Sequence, residues 1–147
     1  MKKSSFKIGM LAVAFLFADQ FLKWIAQTSL ALPFIITPWA SLRYEQNTGI
    51  AWSIAVPQPW LNILNVVLLI ILPLYIARQI DLRKNHSQLF LAMLLGGALG
   101  NLADRLFRGY VIDYVSVGWW PVFNLADALL SLGIFLILVF YGKIKRV

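Results

Sequence analysis

The sequence predicts an all-α membrane protein with four transmembrane helices and a small β-sheet outside the membrane. Of its 147 residues, 61% are hydrophobic and only 13% are charged, and the mean hydropathy is +0.77. That balance is too apolar for a soluble domain of this length. Four apolar stretches each approach the roughly 20 residues that an α-helix needs to cross a bilayer. Alternating polar and apolar residues between the first two stretches indicate a short strand.

The predicted spans make one domain, residues 1–147, with no internal repeat or low-complexity linker. They cover about residues 8–26, 61–80, 88–107 and 122–141. Pro73 lies inside the second span and predicts a kink, which membrane helices tolerate. In the third span, Gly96 and Gly100 are spaced for the close approach of a neighbouring helix. The N-terminus resembles a secretory signal, but polar residues follow its apolar run in place of a small-residue cleavage site, so we expect an uncleaved first span.

The basic residues predict how the chain is oriented. Nine of the 13 lysines and arginines lie before the first span, at the connection of the second and third spans, or after the fourth. They are Lys2, Lys3, Lys7, Arg78, Arg83, Lys84, Lys143, Lys145 and Arg146. Cytoplasmic segments are enriched in such residues, so both termini are expected in the cytoplasm and any active surface outside. The net charge of +7 is scattered among the ends of apolar runs, which favours membrane lipids as partners and no nucleic acid.

The longer outer segment, about residues 27–60, carries the strand signal. Residues 41–45 alternate between polar and apolar side chains, and residues 47–49 mark a turn. With Trp39, Trp52 and Trp60, this segment predicts a small sheet in the headgroup region, where indole rings are favoured.

Two aspartates are the candidate catalytic residues. Asp113 follows the third span within a short outer loop, and Asp127 lies in the first turns of the fourth span. Antiparallel helices joined by this loop would bring the two carboxylates close together, so that they share one proton and activate water for peptide hydrolysis. The alternative is that each aspartate caps a helix or pairs with an arginine.

Other polar residues near these aspartates have two readings each. Asn124 either orients the pair or satisfies free amides at a helix start. Arg105 lies one turn from Asn101 and could reach into the bundle, whereas Asp104 and Arg108 favour an interfacial ion pair.

Near the outer end of the first span, Asp19 and Lys23 stand at i and i+4. They predict a structural salt bridge with Lys23 extending to water, and a role in holding substrate is secondary.

Several chemistries are excluded by composition. The chain has no cysteine, and its single histidine, His86, falls on the predicted cytoplasmic side. A Ser-His-Asp triad at the outer face is therefore excluded, and H-E-x-x-H, G-x-S-x-G and P-loop motifs are absent. If the protein is a hydrolase, aspartates are nearly the only catalysts left.

Four sequence blocks, taken together, resemble those of the bacterial lipoprotein signal peptidase family, also called signal peptidase II. The blocks are Asn47–Ser53, Gly97–Arg105, Gly109–Tyr114 and Phe123–Asp127. They occur in the family's order, and the chain length, the number of spans and the pair formed by Asp19 and Lys23 also match.

The resemblance implies an aspartic endopeptidase of the bacterial plasma membrane that cuts diacylglyceryl-modified prolipoproteins before the lipidated cysteine. It implies that Asp113 and Asp127 are catalytic, that the outer segment forms a small β-cradle, and that no metal or organic cofactor is used. Residues that would bind substrate or support the dyad are Asn47, Gly49, Asn101, Arg105, Asn124, Asp19 and Lys23.

The chain departs from the family pattern at Ile50 and Trp52, where alanine and phenylalanine are usual, and its loop between the two aspartates is short. These differences concern the shape of the substrate pocket.

The rival class is a non-enzymatic membrane protein, a transporter subunit or assembly factor. A transport pathway needs ionisable groups through the depth of the membrane, whereas here they gather at one interface. The sequence leaves the oligomeric state open, with a monomer as one option.

Overall fold

The computed structural model describes residues 2–49 and 57–146, without the side chains of residues 2, 58, 62, 65 and 68. The differences at Ile50 and Trp52 therefore lie outside the described residues. Within them, the structure is mostly helical, with one antiparallel sheet of four strands.

In the part of the chain that the structure describes, three helices are long and apolar enough to cross a membrane. They are α1 (Lys2–Ser29), α4 (Asn85–Phe107) and α5 (Leu125–Ile144). These helices confirm the first, third and fourth predicted spans in kind, with ends shifted by a few residues.

The second predicted span is interrupted. It consists of α2 (Gln58–Val66), a π-helical turn (Val67–Ile71) and α3 (Leu72–Gln79). In the π turn, the Leu72 amide donates to the carbonyl of Val67, five residues back. Pro73 has no amide hydrogen to give to the preceding turn, so the irregularity expected at this proline takes the form of a widened turn.

The sheet has the strand order β1-β2-β3-β4, and every neighbouring pair is antiparallel. Its strands are β1 (Phe34–Thr37), β2 (Ala40–Asn47), β3 (Val111–Val117) and β4 (Trp120–Phe123). The strand expected at residues 41–45 is confirmed within β2. The expectation of a loop after the third span is wrong, because β3 and the start of β4 lie there.

Helix α4 is the centre of the bundle and packs between α1 and α5 through glycines. A Cβ atom added at Gly96 would lie 2.6 Å from Phe15 Cβ, and one at Gly97 would lie 2.5 Å from the carbonyl oxygen of Ala126. Helix backbones approach this closely only where side chains are absent. The predicted close approach at Gly96 is therefore made by α1.

The end of the bundle away from the sheet gathers the start of α1, the α3–α4 connection and the end of α5. Lys7 Nζ donates to Asn85 Oδ1 at 2.9 Å. The Asp81 amide donates to the carbonyl of Ile144 at 2.7 Å. The basic segments on which the predicted orientation rests therefore lie together, at the opposite end from the two candidate aspartates.

Candidate active site

The two candidate aspartates come from different elements that meet at the sheet end of the bundle. Asp113 lies in β3, where it pairs with Glu45 of β2, and Asp127 lies in the first turn of α5. Asp113 is only 3% exposed, whereas Asp127 is half-buried. The position of Asp113 in a central strand corrects the expectation that it lies in a loop.

Asn124 joins the two aspartates. Its Nδ2 donates to Asp113 Oδ1 at 2.6 Å, and its Oδ1 accepts from the Asp127 amide at 2.9 Å. The Asn124 amide in turn donates to Asp127 Oδ2 at 3.3 Å, which completes a capping box at the start of α5. The prediction that Asn124 satisfies free amides at a helix start is therefore confirmed, and the same side chain also donates to Asp113.

Each aspartate also receives a hydrogen bond from a second asparagine. Asn47 Nδ2 donates to Asp113 Oδ2 at 2.9 Å, and Asn101 Nδ2 donates to Asp127 Oδ1 at 2.7 Å. Asn101 Oδ1 accepts from Asn124 Nδ2 at 3.2 Å. These three asparagine side chains are neutral donors, which orient the two carboxylates without adding a positive charge.

Burial is the main reason why the pKa of Asp113 rises from 3.8 to about 7, and the negative charge of Asp127 adds to the rise. Hydrogen bonds from Asn47 and Asn124 oppose the rise and are outweighed. Asp113 is therefore largely protonated below about pH 7. A protonated and an ionised carboxyl group close together can act as the acid and the base that water activation requires.

The start of α5 is held by side chains from other elements. The Leu125 amide donates to Tyr114 Oη at 3.2 Å, and the Ala126 amide donates to Asp19 Oδ1 at 2.9 Å. Burial raises the pKa of Tyr114 to about 12, so its hydroxyl stays neutral. Together with the capping box, these bonds give partners to all four amides that an α-helix leaves free at its start.

Lys23 is buried among charges. Its Nζ lies 2.8 Å from Asp19 Oδ2 and 3.0 Å from Asp104 Oδ2, and all three side chains are 0% exposed. The predicted bridge between Asp19 and Lys23 is confirmed, but the expectation that Lys23 extends to water is wrong. The lysine turns inward because two carboxylates and the Asn101 amide oxygen, at 3.1 Å, replace its hydration.

The buried contacts of Asp104 were the least predictable from the sequence. Its predicted pairing with Arg108 is present, but the carboxylate is fully buried rather than interfacial. It also accepts from Lys23 and from the Ile112 amide. The spacing of Asp104 and Arg108 at i and i+4 is common on exposed helices, so it gave no signal of burial.

Arg105 and Gly49 lie next to each other at the edge of the site. Arg105 Nη2 donates to the Gly49 carbonyl at 3.3 Å, and the Gly49 amide donates to Asn47 Oδ1 at 2.9 Å. Arg105 is half-buried, as its expected reach into the bundle implies. Among the described residues, no group of three or more histidine, cysteine, aspartate or glutamate side chains is arranged to hold a metal ion.

A family model described as "Signal peptidase (SPase) II" matches residues 11–142. The chain belongs to the signal peptidase II family. The resemblance seen in the four sequence blocks is thus confirmed over nearly the whole chain.

Relatives in the family come from several bacteria. Lipoprotein signal peptidase of Rhodococcus jostii (strain RHA1) is 47% identical over 105 residues, which are 67% of this chain and 52% of that protein. The enzyme of Syntrophomonas wolfei is 42% identical over 98 residues, 67% of this chain and 65% of that protein. These two matches therefore span about half to two-thirds of the relatives' length. A Listeria monocytogenes serotype 4a relative is 35% identical over 141 residues, covering 89% of this chain and 90% of that protein.

Two solved structures share the fold. One has a TM-score of 0.77 and 28% identity, covering 92% of this chain and 87% of the other, and the second has a TM-score of 0.72. Both are described as bacterial membrane enzymes. The three apolar helices and the membership of the signal peptidase II family indicate a membrane protein.

Proposed function

We propose that this protein is an aspartic endopeptidase that removes signal peptides from diacylglyceryl-modified prolipoproteins, cutting before the lipidated cysteine. Relatives in the family carry the name lipoprotein signal peptidase, which supports the substrate class. The proposed catalytic residues are Asp113 and Asp127. The rival view, a non-enzymatic transporter subunit or assembly factor, has no support from the family.

The observation that carries the proposal is the bridge made by Asn124. One amide side chain donates to the Asp113 carboxyl group and caps the backbone of Asp127, so Asn124 ties the Asp113 carboxyl group to the start of the helix that carries Asp127. Asn47, in β2, donates to the Asp113 carboxylate, and Asn101, in α4, donates to the Asp127 carboxylate. Two further elements therefore orient the carboxyl groups. If either aspartate had only a structural role, it would not need a hydrogen-bond partner that the other aspartate also uses.

The mechanism follows from the difference between the two carboxyl groups. Asp127 accepts a proton from a water molecule as the water oxygen attacks the scissile carbonyl carbon. Asp113, which holds a proton because burial raises its pKa, donates it to the carbonyl oxygen and forms a gem-diol. When the C–N bond breaks, Asp127 returns its proton to the leaving amine, and a gem-diol hydroxyl reprotonates Asp113. No covalent intermediate forms.

The remaining site residues are assigned supporting roles. Asn47, Asn101 and Asn124 hold the dyad, while Arg105 and Gly49 lie where the substrate backbone would pass. Asp19 and Lys23 support the dyad from beneath and do not contact substrate, since both are fully buried.

We also propose the placement of the chain in the bacterial plasma membrane. The interrupted segment of α2, the π turn and α3 acts as a fourth span beside α1, α4 and α5, all within one domain. The basic end faces the cytoplasm with both termini, and the dyad faces outward at the bilayer surface. A lipid-anchored substrate then approaches sideways, with its acyl chains in the bilayer and its scissile bond at the interface.

The test is cleavage of a diacylglyceryl-modified prolipoprotein by the purified protein in detergent. Asp113→Asn and Asp127→Asn, made separately, keep the size of the side chain and remove its proton exchange. We expect each variant to lose about 100-fold or more of the rate, as general acid–base catalysts do. Asp81→Asn, at the other end of the bundle, is the matched control and should cleave like wild type.

Two outcomes would contradict the proposal. If either dyad variant, shown to be folded, cleaves at close to the wild-type rate, that aspartate is structural and the mechanism is wrong. If wild type does not cut the lipidated substrate at all, the non-enzymatic alternative becomes the better description.

A further inference from the structure

Two buried carboxylates hold the backbone on which the proposed dyad is mounted. Asp104 Oδ2 accepts a hydrogen bond from the Ile112 amide at 3.0 Å, and Asp19 Oδ1 accepts one from the Ala126 amide at 2.9 Å. Ile112 directly precedes Asp113, and Ala126 directly precedes Asp127. A buried carboxylate therefore accepts a hydrogen bond from the backbone amide of the residue that precedes each proposed catalytic aspartate.

Lys23 connects these two carboxylates. Its Nζ lies between Asp19 Oδ2, at 2.8 Å, and Asp104 Oδ2, at 3.0 Å, with all three side chains 0% exposed. Asp19 and Lys23 lie on α1, and Asp104 lies in the last turns of α4. One ammonium group thus ties together the two helices that hold β3 and the start of α5.

We propose that Asp104, Lys23 and Asp19 form a positioning clamp that sets the distance and relative orientation of the two catalytic carboxyl groups. The inference rests on the proposed function and adds to it a means by which the dyad is spaced. Asp104 acts through the Ile112 peptide, Asp19 acts through the Ala126 peptide, and Lys23 holds the two acceptors at a fixed separation. These are positioning residues, because each is buried beneath the site and its contacts are with protein groups.

Geometry of this kind matters for rate more than for binding. Proton transfer and attack by water require alignment of reacting atoms, and a displacement of about 1 Å can cost about 100-fold in rate. A residue that never touches substrate should leave its binding unchanged. The clamp therefore predicts a loss in kcat with little change in KM.

Asp104 offers a clean experiment because its two oxygens have different partners. Oδ2 faces Ile112 and Lys23, whereas Oδ1 faces Gln20 Nε2, at 3.1 Å, and Arg108 Nη1. Arg108→Gln removes the cation at Oδ1 and leaves the partners of Oδ2 in place, so it is the matched background. In that background, Asp104→Ala removes one negative charge where one positive charge is already gone, which leaves Lys23 paired with Asp19 and favours folding.

Cleavage of the lipidated prolipoprotein is measured for Arg108→Gln alone, with Asp104→Ala added, and with Asp104→Asn added. We expect Arg108→Gln to keep kcat within about threefold of wild type, and the added alanine to lower kcat about 100-fold with KM within about twofold. The added asparagine should recover kcat to within about tenfold of Arg108→Gln, because its amide oxygen can still accept from Ile112. Thermal unfolding in detergent establishes that each variant is folded.

A merely structural or electrostatic role gives other results. If alanine and asparagine reduce kcat equally, the charge of Asp104 matters and the hydrogen bond to Ile112 does not, so the clamp is wrong. A loss confined to KM, or an alanine variant with the kcat of its background, would also overturn it. If the alanine variant does not fold, Asp19→Ala against Asp19→Asn tests the other arm by the same criteria.

Failure of the clamp is separable from failure of the proposed function. An active Asp113→Asn variant in the same assay would contradict the proposed catalytic dyad. An inactive Asp113→Asn variant, together with an unimpaired Asp104→Ala variant, would support the dyad and contradict only the clamp.

Discussion

Asp81 and Asp113 lie at opposite ends of the same bundle, and their surroundings give the two carboxyl groups opposite properties. Hydrogen bonds from the side chain and backbone of Arg83 lower the pKa of Asp81 to about 2. Asp113 accepts hydrogen bonds from the neutral side chains of Asn47 and Asn124, and burial raises its pKa to about 7. The comparison teaches that burial, rather than the number of hydrogen-bond partners, decides whether an aspartate can hold a proton near neutral pH.

The charges around these two aspartates differ in the same way. Arg83, next to Asp81, is 88% exposed, whereas Lys23, beneath the dyad, is 0% exposed. Exposed pairs are screened by water and contribute little to stability. A buried pair becomes costly as soon as one partner is lost. Substitutions at the two ends should therefore have very different effects.

The largest effect is expected from Lys23→Met, which leaves Asp19 and Asp104 buried together without their shared cation. We expect the free energy of unfolding in detergent to fall by about 3–5 kcal/mol, as for other broken buried pairs. Arg83→Met is the control at the exposed end and should leave the unfolding transition unchanged. Equal losses in the two variants would mean that burial does not distinguish the two ends.

A smaller effect is expected from Gly100→Ala on the face of α4 that meets Asp19. An added Cβ would lie 2.5 Å from Asp19 Oδ2 and 3.2 Å from Ala126 Cβ, so the carboxylate must shift. Overpacking of this kind costs about 1–3 kcal/mol. Gly142→Ala, with nothing within 4 Å of its Cβ, should instead stabilise the protein by about 0.4–1 kcal/mol through the unfolded chain. Unfolding of the two alanine variants in one detergent checks the opposite signs.

The sharpest contrast between the two ends comes from the pH dependence of Asp113→Asn and Asp81→Asn. Folded Asp113 holds its proton up to about pH 7, whereas the unfolded side chain loses it near 3.8, so rising pH over this interval destabilises wild type. The unfolding temperature of Asp113→Asn relative to wild type should therefore increase between about pH 4 and about pH 7. Folded Asp81 has the opposite shift, so its contribution is present above 3.8 and is lost as pH falls toward about 2.

Thermal scans of both variants and wild type across this range give the measurement. A difference between Asp113→Asn and wild type that stays constant with pH would show that Asp113 is ionised in the folded protein. A wild-type cleavage rate that falls above about pH 7, as the proton on Asp113 is lost, would support the same assignment from the activity.

The sequence predicted the helices well because a membrane span is defined by length and apolarity alone. It predicted the strand within β2 from alternation, but not β3, in which Val111, Ile112, Asp113 and Tyr114 are all buried. A central strand covered on both faces has no alternation to detect. The π turn was also hidden, because Pro73 predicts a break without specifying its form.

The site was predictable to the extent that its residues are polar and grouped by motif. The positions of Asp113, Asp127 and Asn124 followed from the blocks, and their contacts agree with a joined pair. The inward turn of Lys23 did not follow, since spacing at i and i+4 is the same for an exposed and a buried pair. Burial depends on which helix packs against that face, which only the assembled bundle determines.

The capped start of α5 has a consequence for inhibition. Because Tyr114, Asp19 and the Asn124–Asp127 box take up its first amides, this helix end cannot serve as an oxyanion hole for a developing negative charge. In the proposed mechanism, the carbonyl oxygen must instead be neutralised by the proton of Asp113. A transition-state mimic for this enzyme should therefore present an uncharged tetrahedral alcohol to the two aspartates, and an anionic phosphonate of the same shape should bind poorly.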